Sequence, residues 1–570
     1  MIRKVAVIGG GPAGIVTVYN SIKANEKSDF PIECIGFEAK GKLGGVWSDT
    51  PGESFEDYPT TFQRLASLND EKFATSDRDL FYSKSPLVAP NGHTINLKGL
   101  SDTSHSRPLK LARESDLPRD GLFFTTKTGL YDNFFGNVPD ELMRFEDTSV
   151  HDPQYDAQNS SLSPLIDLAR IQQHLHRFIN QNKLKNSFRL YTSVEYVDKL
   201  GADSWIIVAK RSLPENNHDE WYLERFDAVV ICTGHFQMPY VPFYMSRPNE
   251  KSTSGTGIHQ YNCKFPGNLV HVRDIDSWNH RTLPHFKEKA KYKRILIVGK
   301  SFSCMDVLKK IINLRDSVGL EIVISTDIPP SPENKQNPFY WFDVWLSQTD
   351  KVILKPQISK FMSDTPSPTV QFVDGTELQG IDNIIFATGY LFSFPFLSSA
   401  LLDNCKVLIT PDPRNLDGMP SNISRITGLY LHTFSIAEPT LAFCGVSSNA
   451  NFQSFHISAK AIIGAFTKFN KLSYEQKPQD YPYYDSIWRQ ILPPIDKQLE
   501  WSRNRLSQTG NNGSFHFYYP LPSLLKDWLQ PCSLLFPEGD NAAKLFPTDS
   551  QQLSIKGIEK LRDIFLEVME

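Results

Sequence analysis

Four residues near the N-terminus have the types and spacing of a nucleotide site: Gly9, Gly11 and Gly14 in GGGPAG, then the carboxylate of Glu38. Gly9 suits a tight turn, Gly11 lets backbone N–H groups approach a pyrophosphate, and Gly14 lets the following helix pack on its strand. A helix N-terminus favours the anion. A glutamate at the end of the next strand can accept hydrogen bonds from ribose hydroxyls. Just downstream, Gly44-Gly45-Val46-Trp47 sets two glycines before an aromatic, the makings of a second turn beside the first.

A second constellation follows Arg294 in RILIVGKSFSCMDVLKK. Gly299 ends an apolar run as Gly9 does, but Ser301 and Cys304 stand at the next two glycine positions. Gly299-Lys300-Ser301 mimics the end of a phosphate loop of the Walker kind. That loop needs an earlier glycine at 294, which is Arg, and a loop where Ile-Leu-Ile-Val reads as a strand. Both new side chains are small, so backbone approach is hindered only modestly. The expectation is an altered but functional NAD(P)H site at Gly299, Ser301, Ser303, Cys304 and Asp306.

The elements that must position these residues are short buried strands feeding helices. Val5–Ile8, Ala13–Ala24 and Ile32–Phe37 read as strand, helix and strand around the first turn. Residues 295–298, 303–313 and 321–325 repeat the pattern around the second. The fold class is therefore α/β with two Rossmann-like units. The 570 residues exceed one core. With 40% hydrophobic and 22% charged residues, the chain is ordinary globular material. A net charge of -4, from 64 acidic and 60 basic residues, implies no face for nucleic acid. Seven cysteines without a C-x-x-C pair argue against a disulfide framework, a zinc site and a dithiol redox centre, rule out a pyridine nucleotide–disulfide reductase, and predict a reducing compartment. The apolar run Val5–Val18 has a superficial likeness to a leader but is broken by Gly9–Pro12, and no run is long enough for a membrane span.

Further segments carry a family resemblance. FPGNLVH, residues 265–271, has the F-x-G-x-x-x-H fingerprint of the flavin-containing monooxygenases. LYDNFFGNVPDELMRF, residues 130–145, is similar to their segment with an active-site Asn before x-Pro. VVICTGH (229–235), IIFATGY (384–390) and LYLHTF…EPTLAFCG (429–445) resemble the strands that leave, re-enter and complete the FAD domain. The chain looks like a long, fungal-type member. The resemblance implies a discontinuous FAD domain, residues 1–240 and 381–475, with an NAD(P)H domain, 241–380, inserted between. A polar stretch of about 50–127 and a C-terminal extension, 476–570, fall outside it.

The resemblance also implies that Gly9, Gly11, Pro12, Ala13, Gly14, Glu38, Val46 and Trp47 contact FAD, and that Asn137 touches both flavin and nicotinamide and is catalytic. It implies a cytoplasmic protein, with peripheral ER association open, that oxygenates a small soft nitrogen or sulfur nucleophile with O2 through a flavin C4a-hydroperoxide. His271 is expected to be structural. The family points to NADPH, whereas Asp327 after the second strand would repel a 2′-phosphate, so NADH stays open. Two alternative readings remain: a Baeyer–Villiger enzyme, and an FAD-binding regulator with little turnover, suggested by residues 301 and 304 and by Ile275 where an aromatic is usual. The substrate and the oligomeric state are not legible.

Overall fold

The computed structural model describes residues 1–49, 51, 60–66, 94–113, 129–146, 148, 161–201, 203–241, 257–288, 294–335, 337–404, 407–408, 425–447, 451–476, 482–510, 513–518, 522–540 and 550–570. Strand β1 (Lys4–Ile8) runs into helix α1 (Pro12–Asn25) and then strand β2 (Glu33–Phe37). β1 is fully parallel to β2, with Ile8 opposite Phe37, and on its other side to β3 (Ala228–Ile231). Strands buried on both faces read as unbroken apolar runs, which is why VAVI and AVVI show no alternation.

The chain then builds a second parallel sheet. Strand β4 (Arg294–Val298), helix α2 (Phe302–Val318) and strand β5 (Glu321–Ser325) repeat the first unit, and β6 (Asn383–Phe386) lies on the far side of β4. The whole sheet has the order Leu269–His271, β6, β4, β5, Ile353–Lys355. It thus takes in Phe386, so the chain leaves it several residues later than the expected boundary near 380. Each helix is longer than its apolar pattern indicated, because partly polar turns at the C-terminal end still lie against the body.

Return to the first sheet comes by a hairpin, Leu429–Tyr430 with Phe434–Ser435, and then β7 (Leu441–Phe443), which pairs in parallel with β3. Helix α3 (Asn451–Gln476) packs on α1, burying Ile457, Ile462, Ile463 and Phe466 against Ile15, Val16 and Val18. The last helix, α4 (Ser550–Met569), goes elsewhere. Its Phe565 meets Trp341, Phe342 and Trp345 beside α2, with ring centroids 5.6, 5.3 and 5.2 Å apart.

Much of the polar stretch expected at about 50–127 lies outside the described residues. Its described part is not a bare surface excursion. Leu109–Ala112 forms the edge of a four-stranded antiparallel sheet with His218–Phe226, Ser204–Arg211 and Thr192–Leu200. Ile95 and Leu100 are buried against Val208 and Trp221. Short apolar islands among prolines and serines gave no sustained period, so this sheet had no clear sequence signal. Among the described residues no helix is long and apolar enough to cross a membrane.

Candidate active site between two nucleotide turns

At the first turn the glycines divide by what excludes a side chain. Gly9 has φ +108°, and a methyl there would lie 2.5 Å from the Cys232 carbonyl oxygen. A methyl on Gly14 would stand 1.9 Å from the Gly9 carbonyl oxygen, so α1 sits on its turn only because position 14 lacks Cβ. Gly11 differs. Its φ of -75° is ordinary, and a methyl would meet only Gly45, at 3.5 Å. Protein packing therefore forbids side chains at 9 and 14 but not at 11, where the space belongs to whatever approaches the turn. Gly11 is the N-cap of α1 and supplies no side-chain cap, and Pro12 starts the helix. Pro12 and Ala13 are buried, and a methyl on Gly445 would lie 3.2 Å from Ala13 Cβ, so Ala13 closes the floor.

Glu38 is buried; its Oε2 accepts from the Gly10 N–H at 2.7 Å and Oε1 from Lys40 N at 2.8 Å. Burial holds its carboxyl above the usual range, against the opposing pull of the Lys40 backbone bond and charge. A carboxylate has about four acceptor positions, so one on each oxygen is left for ribose hydroxyls. The 44–47 turn closes over this loop: Gly44 N donates to Gly10 O at 2.9 Å, and Lys40 pairs with Asp49 at 2.6 Å. Val46 and Trp47 are half-buried at its tip.

The second turn keeps the same backbone frame. Gly299 has φ +102°, and a methyl would lie 2.7 Å from Ala387 O. Its N–H donates to Ser325 O at 2.8 Å, as Gly9 N donates to Phe37 O at 2.8 Å. Ser301 caps α2 by position, yet its side chain makes no capping bond. It is exposed, Ser303 is half-buried, and Cys304 is fully buried at the place where α1 carries Gly14. Burial pushes the Cys304 thiol up, with the Asp306 carboxylate adding to the effect, so it is a packing group and not a nucleophile.

This register also relocates the ribose position. Glu38 N donates to Arg189 O at 3.0 Å, and Thr326 N donates to Lys355 O at 3.1 Å. Thr326, not Asp327, has the backbone place of Glu38, and its Oγ1 donates to Ile328 O at 2.8 Å. Asp327 is exposed one residue beyond. Counting from the strand end instead of looking for the nearest charge would have found Thr326. Lys300 is engaged, pairing at 2.5 Å with the buried Asp343.

The segment carrying Asn137 lies between the two turns. Phe134 packs on Trp47 with centroids 5.9 Å apart. Tyr131 lies beside the Asp306 carboxylate; burial, then that charge, holds its hydroxyl well above its ordinary range. Lys310 lies over the Tyr131 ring at 4.2 Å, Lys309 over Phe135 at 4.6 Å, and Lys309 also pairs with Asp306 at 2.8 Å. Asp306 thus fastens α2 to this segment. Tyr131 was in the quoted motif but had no predicted role, since an interdomain hydroxyl has no periodic signature. Asn137 itself is half-buried, and its amide makes no hydrogen bond among the described residues.

His271 is fully buried at the end of Leu269–His271. Its Nδ1 accepts from Arg273 N at 3.0 Å, so Nε2 carries the proton and donates to Gly389 O at 3.1 Å. Burial, with Arg273 beside it, pushes it down to about 3. It is a neutral pin between the two returning segments.

Two dinucleotide-type turns on separate parallel sheets, with residues 131–135 reaching Trp47 on one side and α2 on the other, define a two-nucleotide α/β architecture. The sequence model for the flavin-binding monooxygenase-like family matches residues 119–326 and 347–411. Flavin-containing monooxygenase iboF of Amanita muscaria is 24% identical over 546 residues, 90% of this chain and 84% of that one. Trimethylamine monooxygenase of Roseovarius sp. is 26% identical over 318 residues, 56% of each. The solved S-allyl-L-cysteine S-oxygenase of Allium sativum shares the fold, with TM-score 0.57 and 18% identity over 99% of this chain and 94% of that one. The chain thus resembles the flavin-binding monooxygenase-like family.

Proposed function

We propose that the protein is an FAD-dependent, NAD(P)H-driven monooxygenase that oxygenates a small soft nitrogen or sulfur nucleophile, with NADPH the favoured donor. The observation that carries this reading is the seat of residues 131–137 against both turns, with the Asn137 amide unspent. The likeness to a trimethylamine monooxygenase supports the nitrogen branch.

The residues fit the cofactors. Gly9, Gly11 and Gly14 leave backbone N–H groups of an uncapped helix for the FAD pyrophosphate, with Glu38 for its ribose. Gly299 and the uncapped start of α2, with Ser301 and Ser303, would hold the nicotinamide nucleotide. Thr326 in the ribose position presents no charge to a 2′-phosphate, which favours NADPH. Held by the first turn, FAD would supply a hydride acceptor for the nicotinamide and, in its reduced form, activation of O2 for transfer of one oxygen atom.

The chain's own part is placement and dryness. Trp47 and Phe134 wall one side of the space, and Tyr131 and Asp306 fix the other wall to α2. The Asn137 amide offers both donor and acceptor to the reacting ring edges. No side chain needs to act as a nucleophile. The test is to purify the yellow protein, mix it anaerobically with NADPH or NADH, and then admit air with a tertiary amine or thioether. Bleaching followed by about one product per nucleotide consumed is expected. A flavin that neither nucleotide bleaches sinks the reading and leaves the regulator.

A further inference from the structure

Arg425 opens the short strand Arg425–Ile426 and is only 7% exposed. Its guanidinium lies 4.6 Å over the Phe515 ring. Among the described residues it has no hydrogen bond and no ion pair, and its Nε is wholly buried. The groups around it are basic. Arg425, Arg505 and His235 all act on His516, and Arg425 and Arg505 on His432. Asp527 acts on Arg505, but no acid acts on Arg425.

Most of these groups are spent. Ile426 N donates to His516 Nε2 at 3.1 Å, so His516 Nδ1 donates to His432 Nδ1 at 3.1 Å, and His432 Nε2 donates to the Tyr518 hydroxyl at 3.0 Å. Arg505 gives Nε and Nη2 to the carbonyls of Phe515, Ser514 and Phe517. What remains is Arg425, His235 and the buried Nη1 of Arg505. His235 is half-buried, stacked between Phe236 at 4.2 Å and Phe392 at 4.8 Å, with no hydrogen bond among the described residues. Phe392 reaches His516 at 5.5 Å, and Phe236 is 43% exposed, so the cluster meets solvent at this edge.

A buried guanidinium Nε without a partner is costly, and such a group in a folded protein points to an ion or ligand. Its planar fork suits a carboxylate bidentately. The place is close to the first turn. Cys232 O and Thr233 Cα lie 2.5 and 3.2 Å from a methyl built on Gly9, and His235 follows within the reach of two residues. We infer that Arg425 and His235 form an anion subsite on the rim of the first nucleotide turn that holds the carboxylate of the oxygenated substrate. The substrate class is then a carboxylate-bearing thioether or amine. Its assignment to substrate rests on the monooxygenase reading; its affinity for carboxylates does not.

The test uses flavin-loaded protein and Arg425→Met. Melting temperature is measured at constant ionic strength with sodium acetate, sodium phosphate or 3-(methylthio)propionate. Turnover is measured with 3-(methylthio)propionate and its neutral counterpart 3-(methylthio)propanol. The expected result is a wild-type rise of several degrees with the carboxylates, absent in Arg425→Met, which keeps its flavin and its anion-free melting temperature. KM for the acid rises roughly tenfold or more in the variant, as for loss of a charged hydrogen bond, with KM for the alcohol unchanged. Arg425→Lys recovers part of both effects. Stabilisation by acetate and phosphate without a KM split overturns the substrate assignment in favour of a free anion. No shift with any anion overturns the site itself. So does an Arg425→Met protein that melts lower in anion-free buffer while its carboxylate response is intact, since Arg425 is then structural. Failure of turnover with both thioethers, the melting shifts being present, counts against the monooxygenase reading and not against the carboxylate site.

Discussion

Gly11→Ala and Gly14→Ala make a matched pair of one added carbon each, three residues apart. At 14 the new methyl would stand 1.9 Å from a carbonyl oxygen that belongs to the turn itself. No side chain can rotate away, so α1 must retreat by more than an ångström from β1 and disturb its packing on α3. Overpacking of this kind costs about 1–3 kcal/mol. At 11 the methyl meets Gly45 Cα at 3.5 Å, an ordinary contact, and the backbone is already in a region alanine adopts. Gly11→Ala should therefore leave the stability of flavin-depleted protein within about 0.5 kcal/mol of wild type. It should weaken FAD roughly 10- to 100-fold, the value of one or two charge-assisted bonds to the pyrophosphate. Urea melts of flavin-depleted proteins give the first quantity, and quenching of FAD fluorescence on titration the second. Equal destabilisation by both substitutions, or full FAD affinity in Gly11→Ala, would refute the division of labour among the glycines.

Asn137→Leu should uncouple the reaction: nucleotide oxidation continues while hydrogen peroxide replaces oxygenated product, and an unchanged ratio of product to nucleotide makes Asn137 a turn residue. Thr326→Glu should shift the anaerobic rate of flavin reduction toward NADH by placing a carboxylate at the 2′-position; an unaltered NADPH-to-NADH ratio refutes the register argument. Two histidines with lowered pKa set the acid limit. His235 is pushed down to about 4 and His271 to about 3 by burial, below the unfolded value of about 6.5. The unfolded chain therefore binds more protons below that pH. Stability is complete above it and falls as the pH drops toward 4, by up to about 1.4 kcal/mol per pH unit for each histidine. His271→Asn should lose one proton's share of that slope, and a parallel stability–pH curve would contradict it.

The turns were legible because a glycine forced by a neighbouring carbonyl has no substitute, and because a doubly buried strand announces itself as VAVI or ILIV. Residues 321–325 fell on β5 without a shift. The nucleotide-facing detail was less readable. Asp327 drew notice by its charge, whereas hydrogen-bond register, which no one-dimensional pattern records, gives the place to Thr326. Asn137 was legible through its motif, but the grip of Tyr131 on Asp306 joins residues far apart in the chain, and nothing local marks either. Arg425 carried no sequence signal, since an isolated arginine usually lies on a solvated surface.

The C-terminal helix α4 ends with Lys351 bonding the carbonyls of Met569 and Glu570. The preceding helices Pro482–Ile491 and Pro522–Ser533 pack on α3, beside the first sheet. The chain thus passes from the first sheet to the second, back again, and a third time to finish on the second. The first two passages lie side by side as paired short strands, Met238–Pro239 with Tyr390–Leu391, the geometry of a hinge. The third passage ends on the second sheet, so any shear between the two halves would also have to part Phe565 from Trp341 and Trp345.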